Sequence, residues 1–260
     1  MPEPLRFRGG GFVIEPKRRA GWIAGALIVA FWQTACSLGW ASPVFLPSPV
    51  GIVRALADLA LTGQLGRDVA ASLARIVVGF SIGASAGIAF GLALGLLSHA
   101  RAAGLPIVSA LFPIPKIALL PLFILWFGIG EPSKYATIGL GVFFPMAIAT
   151  FSGVDQVPRS LIRMAQSFDV PTRSIVWKVI LPGALPGILA GIRIATSIAL
   201  ILVVAAEMIG AEHGIGAFIL TAGNLMRTEE LLAGVCVLSA LGLTVGWLVG
   251  IAERRLLSWR

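Results

Sequence analysis

Charge is scarce in this sequence. Of its 260 residues, 12% are Asp, Glu, Lys or Arg, about half the ~25% of an ordinary soluble domain. Hydrophobic residues make up 57%, and mean hydropathy is +0.94. That much apolar surface cannot be hidden in one soluble core of this size, so lipid must be the solvent for much of it. Histidine is scarcer still. His99 and His213 stand alone in different connectors, which excludes a joint metal site or a base paired with a nucleophile in one pocket. The only cysteines, Cys36 and Cys236, read either as small apolar residues packed in helices or as a disulfide pair. A phosphate-binding G-x-x-x-x-G-K-S/T is absent, and Gly9-Gly10-Gly11 lacks the lysine, strand and helix that motif needs. ATP therefore has to be handled by another polypeptide, and enzyme chemistry on this chain has no support.

The apolar residues are gathered into runs. A span needs about 20 largely apolar residues to cross ~30 Å of hydrocarbon. Runs free of charge cover 20–53, 76–98, 135–154 and 231–252, and two more are interrupted only by Lys116 and Arg193. Six spans are expected, at about 20–40, 74–98, 104–130, 134–154, 184–207 and 230–252, after an N-terminal tail of residues 1–19. The first is read as an uncleaved span, ended near Trp40 by the prolines that follow. With the N-terminus inside, Arg54, Arg67, Lys134 and Arg227 fall outside. Arg6, Arg8, Lys17, Arg18, Arg19, Arg101, Arg159, Arg163, Arg173, Lys178, Arg254, Arg255 and Arg260 fall in the cytoplasm. That bias is the positive-inside rule, and it predicts both termini in the cytoplasm. The net charge of +8 is thus accounted for by the membrane, without nucleic acid.

Local patterns refine the runs. Ser48-Pro49 followed by Val50, Val53, Leu56, Ala57 and Leu61 predicts a capped amphipathic helix on the outer surface, or else a connector. Gly79, Gly83, Gly87, Gly91 and Gly95 recur every fourth residue and predict a face packed closely on another helix. Pro113, Pro115 and Pro121 predict a broken third span. Lys116 within it has two readings, a pathway lysine or a side chain snorkelling to the headgroups, and Arg193 has the same two. Glu207 is either an acid at the water interface or part of an outer gate or docking surface.

Between the fourth and fifth spans, residues 155–182 are too polar to cross and too patterned for a plain linker. Leu161, Met164, Ala165 and Phe168 share a helical face, with Arg159 and Arg163 elsewhere. Asp169 is predicted to cap a second helix that has Pro171 in its first turn, buries Ile175, Val176 and Val179 and presents Arg173 and Lys178.

This segment resembles the signature loop of ABC-importer permeases, written EAA…G…I-LP. Ile180-Leu181-Pro182 matches its end and Ala165 its second Ala, with Arg163 at the Glu, Met164 at the first Ala and Asp169 at the Gly, where Asp can enter the left-handed region or cap the next helix. The resemblance covers about residues 40–257 and includes Phe45-Leu-Pro-Ser-Pro49, Ala71-Ser-Leu-Ala-Arg75, the stretch from Pro113 to Glu131, Ile180-Leu-Pro-Gly-Ala-Leu-Pro186 and Ala205-Ala-Glu-Met208. It looks like the nitrate, aliphatic sulfonate and taurine subfamily, with Arg163 before Ala165-Gln-Ser most like the taurine members.

The resemblance implies an all-α membrane protein with six transmembrane helices and the type I ABC importer permease fold, residues 20–257. It implies a homodimer in the bacterial inner (plasma) membrane that conducts a small anion handed over by an external solute-binding protein. ATPase subunits carrying ATP–Mg would dock on the coupling helices, leaving this chain without a cofactor. The coupling residues would be Arg159, Leu161, Arg163, Met164, Ala165, Phe168, Asp169, Arg173, Ile180, Leu181 and Pro182. Lys116, Arg193 and Glu207 are the candidate pathway or gate residues. A carrier built from repeats would show broken helices in both halves, and here only the third span is broken.

Overall fold

The structure, a computed structural model, describes residues 7–8, 11–12, 18–40 and 42–257, with side chains from residue 21 onward. Strands β1 (Phe7–Arg8) and β2 (Gly11–Phe12) form one antiparallel pair. The remaining residues of the expected tail up to residue 17 lie outside the described residues. All other regular structure among them is helical. In chain order come α1 (Arg18–Ser37), α2 (Pro49–Leu61), α3 (Gln64–Leu96), α4 (Ser98–Leu111), a 3-10 turn (Lys116–Leu119), α5 (Leu120–Phe127) and α6 (Glu131–Asp155). Then follow α7 (Arg159–Ser167), α8 (Thr172–Ile175), a π-helical turn (Val176–Ile180), α9 (Leu181–Glu207), α10 (Ile215–Asn224) and α11 (Thr228–Leu256).

Four of these are long and apolar enough to cross a membrane: α3, α6, the continuous helix Thr172–Glu207, and α11. α4 and α5 make a fifth when taken as one span bent by 89°. That makes four or five of the six expected spans among the described residues; the first, whose described apolar part is Gly21–Ser37, falls among the shorter apolar helices. Two boundaries move. α3 starts at Gln64, ten residues before the expected edge, because its first turns are polar yet packed. The fifth span starts at Thr172 instead of about 184, because the second loop helix runs straight into it.

The glycine stripe decides how the core meets. A Cβ at Gly79 would strike Ile138, one at Gly83 would overlap the Gly139 carbonyl, and one at Gly87 would lie 2.6 Å from the Phe143 oxygen. Gly91 and Gly95 stand in the same way against Thr150 and Val154. In lipid, such small faces let backbones approach and gain dispersion contact. These pairings run in the same chain direction, so α3 and α6 are parallel, and residues 97–130 must return across the bundle between them. That return is the bent α4–α5 pair. α9 then packs antiparallel on α6, with Gly191 on Ala149 and Met146 and Gly153 on the Ala184 carbonyl. Ile138, Val142, Met146, Ala195, Ala199 and Val203 fill the buried centre.

The predicted external helix is α2, with the Ser48 hydroxyl accepting from Gly51 N at 3.0 Å and Pro49 in its first turn. Its Ile52 and Leu59 pack with Trp32 of α1 and Ala233 of α11. Cys36 and Cys236 are both free. Replacing Gly83 by Val should cost about 1–3 kcal/mol or more by overpacking. The same change at Gly246, which has nothing within 4 Å, should be neutral. Thermal unfolding in detergent checks both, and equal effects would refute the assigned packing face.

Candidate functional site

At one end of the bundle α7 presents an apolar face that no described residue covers. Phe168 is 76% exposed, Met164 55% and Leu161 44%, flanked by the exposed Arg159 and Arg163. The opposite side of the loop holds it in place: Ile162, Ala165, Val170, Ile175, Val176 and Val179 pack on the main core. Ala165 is therefore an inward anchor, while Leu161, Met164 and Phe168 face out. Arg173, Lys178 and Trp177 are exposed on the second segment.

Asp169 does not cap the second helix. It sits in the left-handed region at φ 51, and its N–H donates to the Gln166 carbonyl while Val170 N–H donates to that of Ala165. This is a Schellman ending of α7, which needs left-handed backbone that Asp tolerates better than most residues. Pro171 takes the cap position of α8 instead. Ile180-Leu181-Pro182 forms the junction of the π turn with α9. Leu181 N–H donates to Val176 O, five residues back, so the missing donor of Pro182 falls where the ladder is already shifted.

Lys116, Arg193 and Glu207 are not brought together. Lys116 Nζ donates to the carbonyls of Leu111 (2.9 Å), Phe112 (2.9 Å) and Ile114 (2.6 Å) and lies 4.6 Å from the Phe144 ring centroid. In this structure it satisfies the carbonyls freed where α4 breaks. Arg193 pairs with Glu253 of α11. Glu207 is 1% exposed and so is not an interface acid.

Around Glu207, at the end of the bundle away from α7, lies the densest polar cluster. Asp68, Ser72 and Arg75 recur at spacings of four and three, one face of α3, and all are buried. The Ser72 hydroxyl donates to the Glu207 carboxylate at 2.7 Å. Arg75 Nη1 donates to Glu207 Oε1 (2.8 Å) and to the His213 carbonyl (2.6 Å). Arg75 Nε and Nη2 grip Glu131 bidentately at 2.8 and 2.7 Å, the geometry guanidinium favours. Lys134, also buried, lies 3.4 Å from Glu131. The start of α10 closes the cluster: Gly214 N–H donates to Asp68 (3.0 Å), Ile215 N–H to the Ser72 hydroxyl (2.9 Å) and Gly216 N–H to Glu207 (2.8 Å). Gly214 has φ 139, and a Cβ there would strike the Glu207 carboxylate, so only glycine fits.

Beside the cluster opens a cleft of about 690 Å³, lined by both signs of charge, Arg54, Arg67, Asp58 and Glu230 among them, over Phe218. Of this end, sequence reasoning singled out only Glu207. Arg75 ends the Ala71-Ser-Leu-Ala-Arg75 segment of the family resemblance, and the 68/72/75 spacing is the sequence signal for the cluster. No group of three or more metal-ligating side chains occurs among the described residues.

The profile of the family described as binding-protein-dependent transport system inner membrane component matches residues 83–258. Over 248 residues the chain is 38% identical to the Bacillus subtilis protein named aliphatic sulfonates transport permease protein SsuC, covering 94% of this chain and 90% of that one. Over 239 residues it is 37% identical to the taurine transport system permease protein TauC of Escherichia coli, covering 90% and 87%. Among solved structures, the inward-facing MetNI methionine ABC transporter aligns with TM-score 0.66 at 22% identity, over 76% of this chain and 98% of that chain. That likeness is one of fold.

The buried pair makes a stability prediction. Arg75→Met leaves Glu207 charged and unpaired, a loss of about 3–5 kcal/mol. Adding Glu207→Gln should recover part of that loss, because the orphaned charge is gone. Thermal unfolding of the two single variants and the double variant checks this, and additive losses would refute the account.

Proposed function

The chain belongs to the family of binding-protein-dependent transport system inner membrane components, transport subunits rather than enzymes, and from that premise we propose that it is the permease of an ATP-driven importer for small organosulfonates, taurine included. The observation that carries the substrate class is the near full-length identity to relatives named for aliphatic sulfonates and taurine. Two copies enclose the translocation pathway. The end that carries α7 faces the cytoplasm, in keeping with the thirteen basic residues assigned there. The partner ATPase, which carries ATP–Mg, seats the exposed Leu161, Met164 and Phe168 in a groove, with Arg159 and Arg163 at the rim. The solute-binding protein meets the opposite end, where the mixed-charge cleft offers polar contacts. ATP binding and solute delivery bias one two-state equilibrium from opposite sides.

Proteoliposomes holding the permease, its ATPase and the binding protein should accumulate taurine or an alkanesulfonate only with ATP. Accumulation driven by an ion gradient without the ATPase would overturn the reading in favour of a secondary carrier. Docking is tested separately. An exposed aromatic buried at an interface contributes about 2 kcal/mol or more, so Phe168→Asp should strip the ATPase from the purified complex and abolish uptake while the permease still folds. Undiminished co-purification would remove α7 from the docking face.

A further inference from the structure

α10 is only ten residues long, too short to hold itself together in isolation, so its position is imposed from outside. The imposition is unusual in form. The three successive N–H groups that open it, those of Gly214, Ile215 and Gly216, are accepted by no residue of α10. They go to Asp68 and Ser72 on α3 and to Glu207 on α9. Arg75 binds these acceptors into one body. Its four hydrogen bonds reach the α10 turn through the His213 carbonyl, α9 through Glu207 and α6 through Glu131. Arg75 is 6% exposed and Glu207 1%, so parting them would strand charge out of water, whereas moving the whole cluster leaves every bond intact.

We propose that Arg75 is a positioning residue that makes α10 move as one body with the adjoining ends of α3, α6 and α9, so that a push on α10 from outside reaches the spanning core directly. The proposal rests on the importer reading, in which an external binding protein supplies that push. Glu131 is the adjustable member of the cluster. Its side chain is 43% exposed, and it is the one link between Arg75 and α6.

Two measurements test this on the assembled transporter in nanodiscs. Hydrogen exchange on the wild type should show the N–H groups of Gly214, Ile215 and Gly216 protected like the α6 core. Exchange at the rate of an open loop would overturn the proposal without any variant. In Arg75→Lys and Glu131→Gln, the ratio of binding-protein-stimulated to basal ATP hydrolysis should fall by about tenfold, within the usual range of coupling between sites. Basal hydrolysis and ATPase co-purification should hold. A purely structural role would lower basal and stimulated rates together, and that result, or an unchanged ratio in either assembled variant, would overturn the proposal. If Arg75→Lys does not assemble, the partly exposed Glu131→Gln decides together with the wild-type exchange. A wild type that no binding protein stimulates would defeat the importer reading, while the exchange data would still judge the cluster.

Discussion

The buried stripe of α3 is the constraint on which the rest of the structure depends. Asp68, Ser72 and Arg75 continue at helical spacing into Gly79, Gly83, Gly87 and Gly91, and all are buried. One face of one helix therefore holds its neighbours in two chemically different ways. Toward α7, where lipid tails are as apolar as any side chain, contact is made by bringing backbones together across glycine. At the other end, the stripe switches to directional bonds between buried charges and helix-start N–H groups. Replacing either half by ordinary large apolar residues would keep the hydropathy and lose the fit.

From that stripe the topology follows. Because α3 and α6 are held parallel, the chain between them has to turn back within the depth of the bundle. The prolines of 113–121 break the helix there, and the break leaves carbonyls without partners. Lys116 supplies the donors, so a basic residue at this depth compensates for the backbone geometry. Arg193 is dealt with by a carboxylate on the neighbouring span. The few charges of this chain that lie at depth are used on one another or on the backbone, as the cost of an unpaired group in low dielectric requires.

What was legible in the sequence is whatever repeats over short range. The four-residue glycine period, the proline break, the Ser48-Pro49 cap and the buried side of the loop could all be read because each is a property of one helix. The Arg75 cluster was not, since its members lie at 68–75, 131 and 207–216, and only the fold makes them neighbours. Asp169 shows a subtler limit. Asp suits a helix start and a left-handed ending alike, and the choice is made by the bonds from Asp169 and Val170 N–H back into α7. α10 was missed because a largely apolar stretch of ten residues is too short for a span, so residues 208–229 read as connector.

The two ends of the molecule are joined by one element. Thr172–Glu207 is a continuous helix of 36 residues, about 50 Å long at ~1.5 Å per residue. It starts in the loop that bears the exposed apolar face and ends at the carboxylate that Arg75 and Gly216 hold. No flexible segment intervenes. Its irregularities, the π turn at Val176–Ile180 and Pro186 inside α9, both lie toward the loop end, before the uninterrupted part of the rod begins. A tilt imposed at the loop must therefore either be absorbed in that stretch or arrive at Glu207, about seven helical turns beyond the π turn. The close α6–α9 contact through Gly153, Gly187 and Gly191 constrains α9 from bending in between, because backbones that already touch leave no room for curvature toward each other. The fold thus needs no further relay to link its two ends. α9 spans the distance, α6 is the surface it packs on, and the stripe of α3 fixes that surface in place.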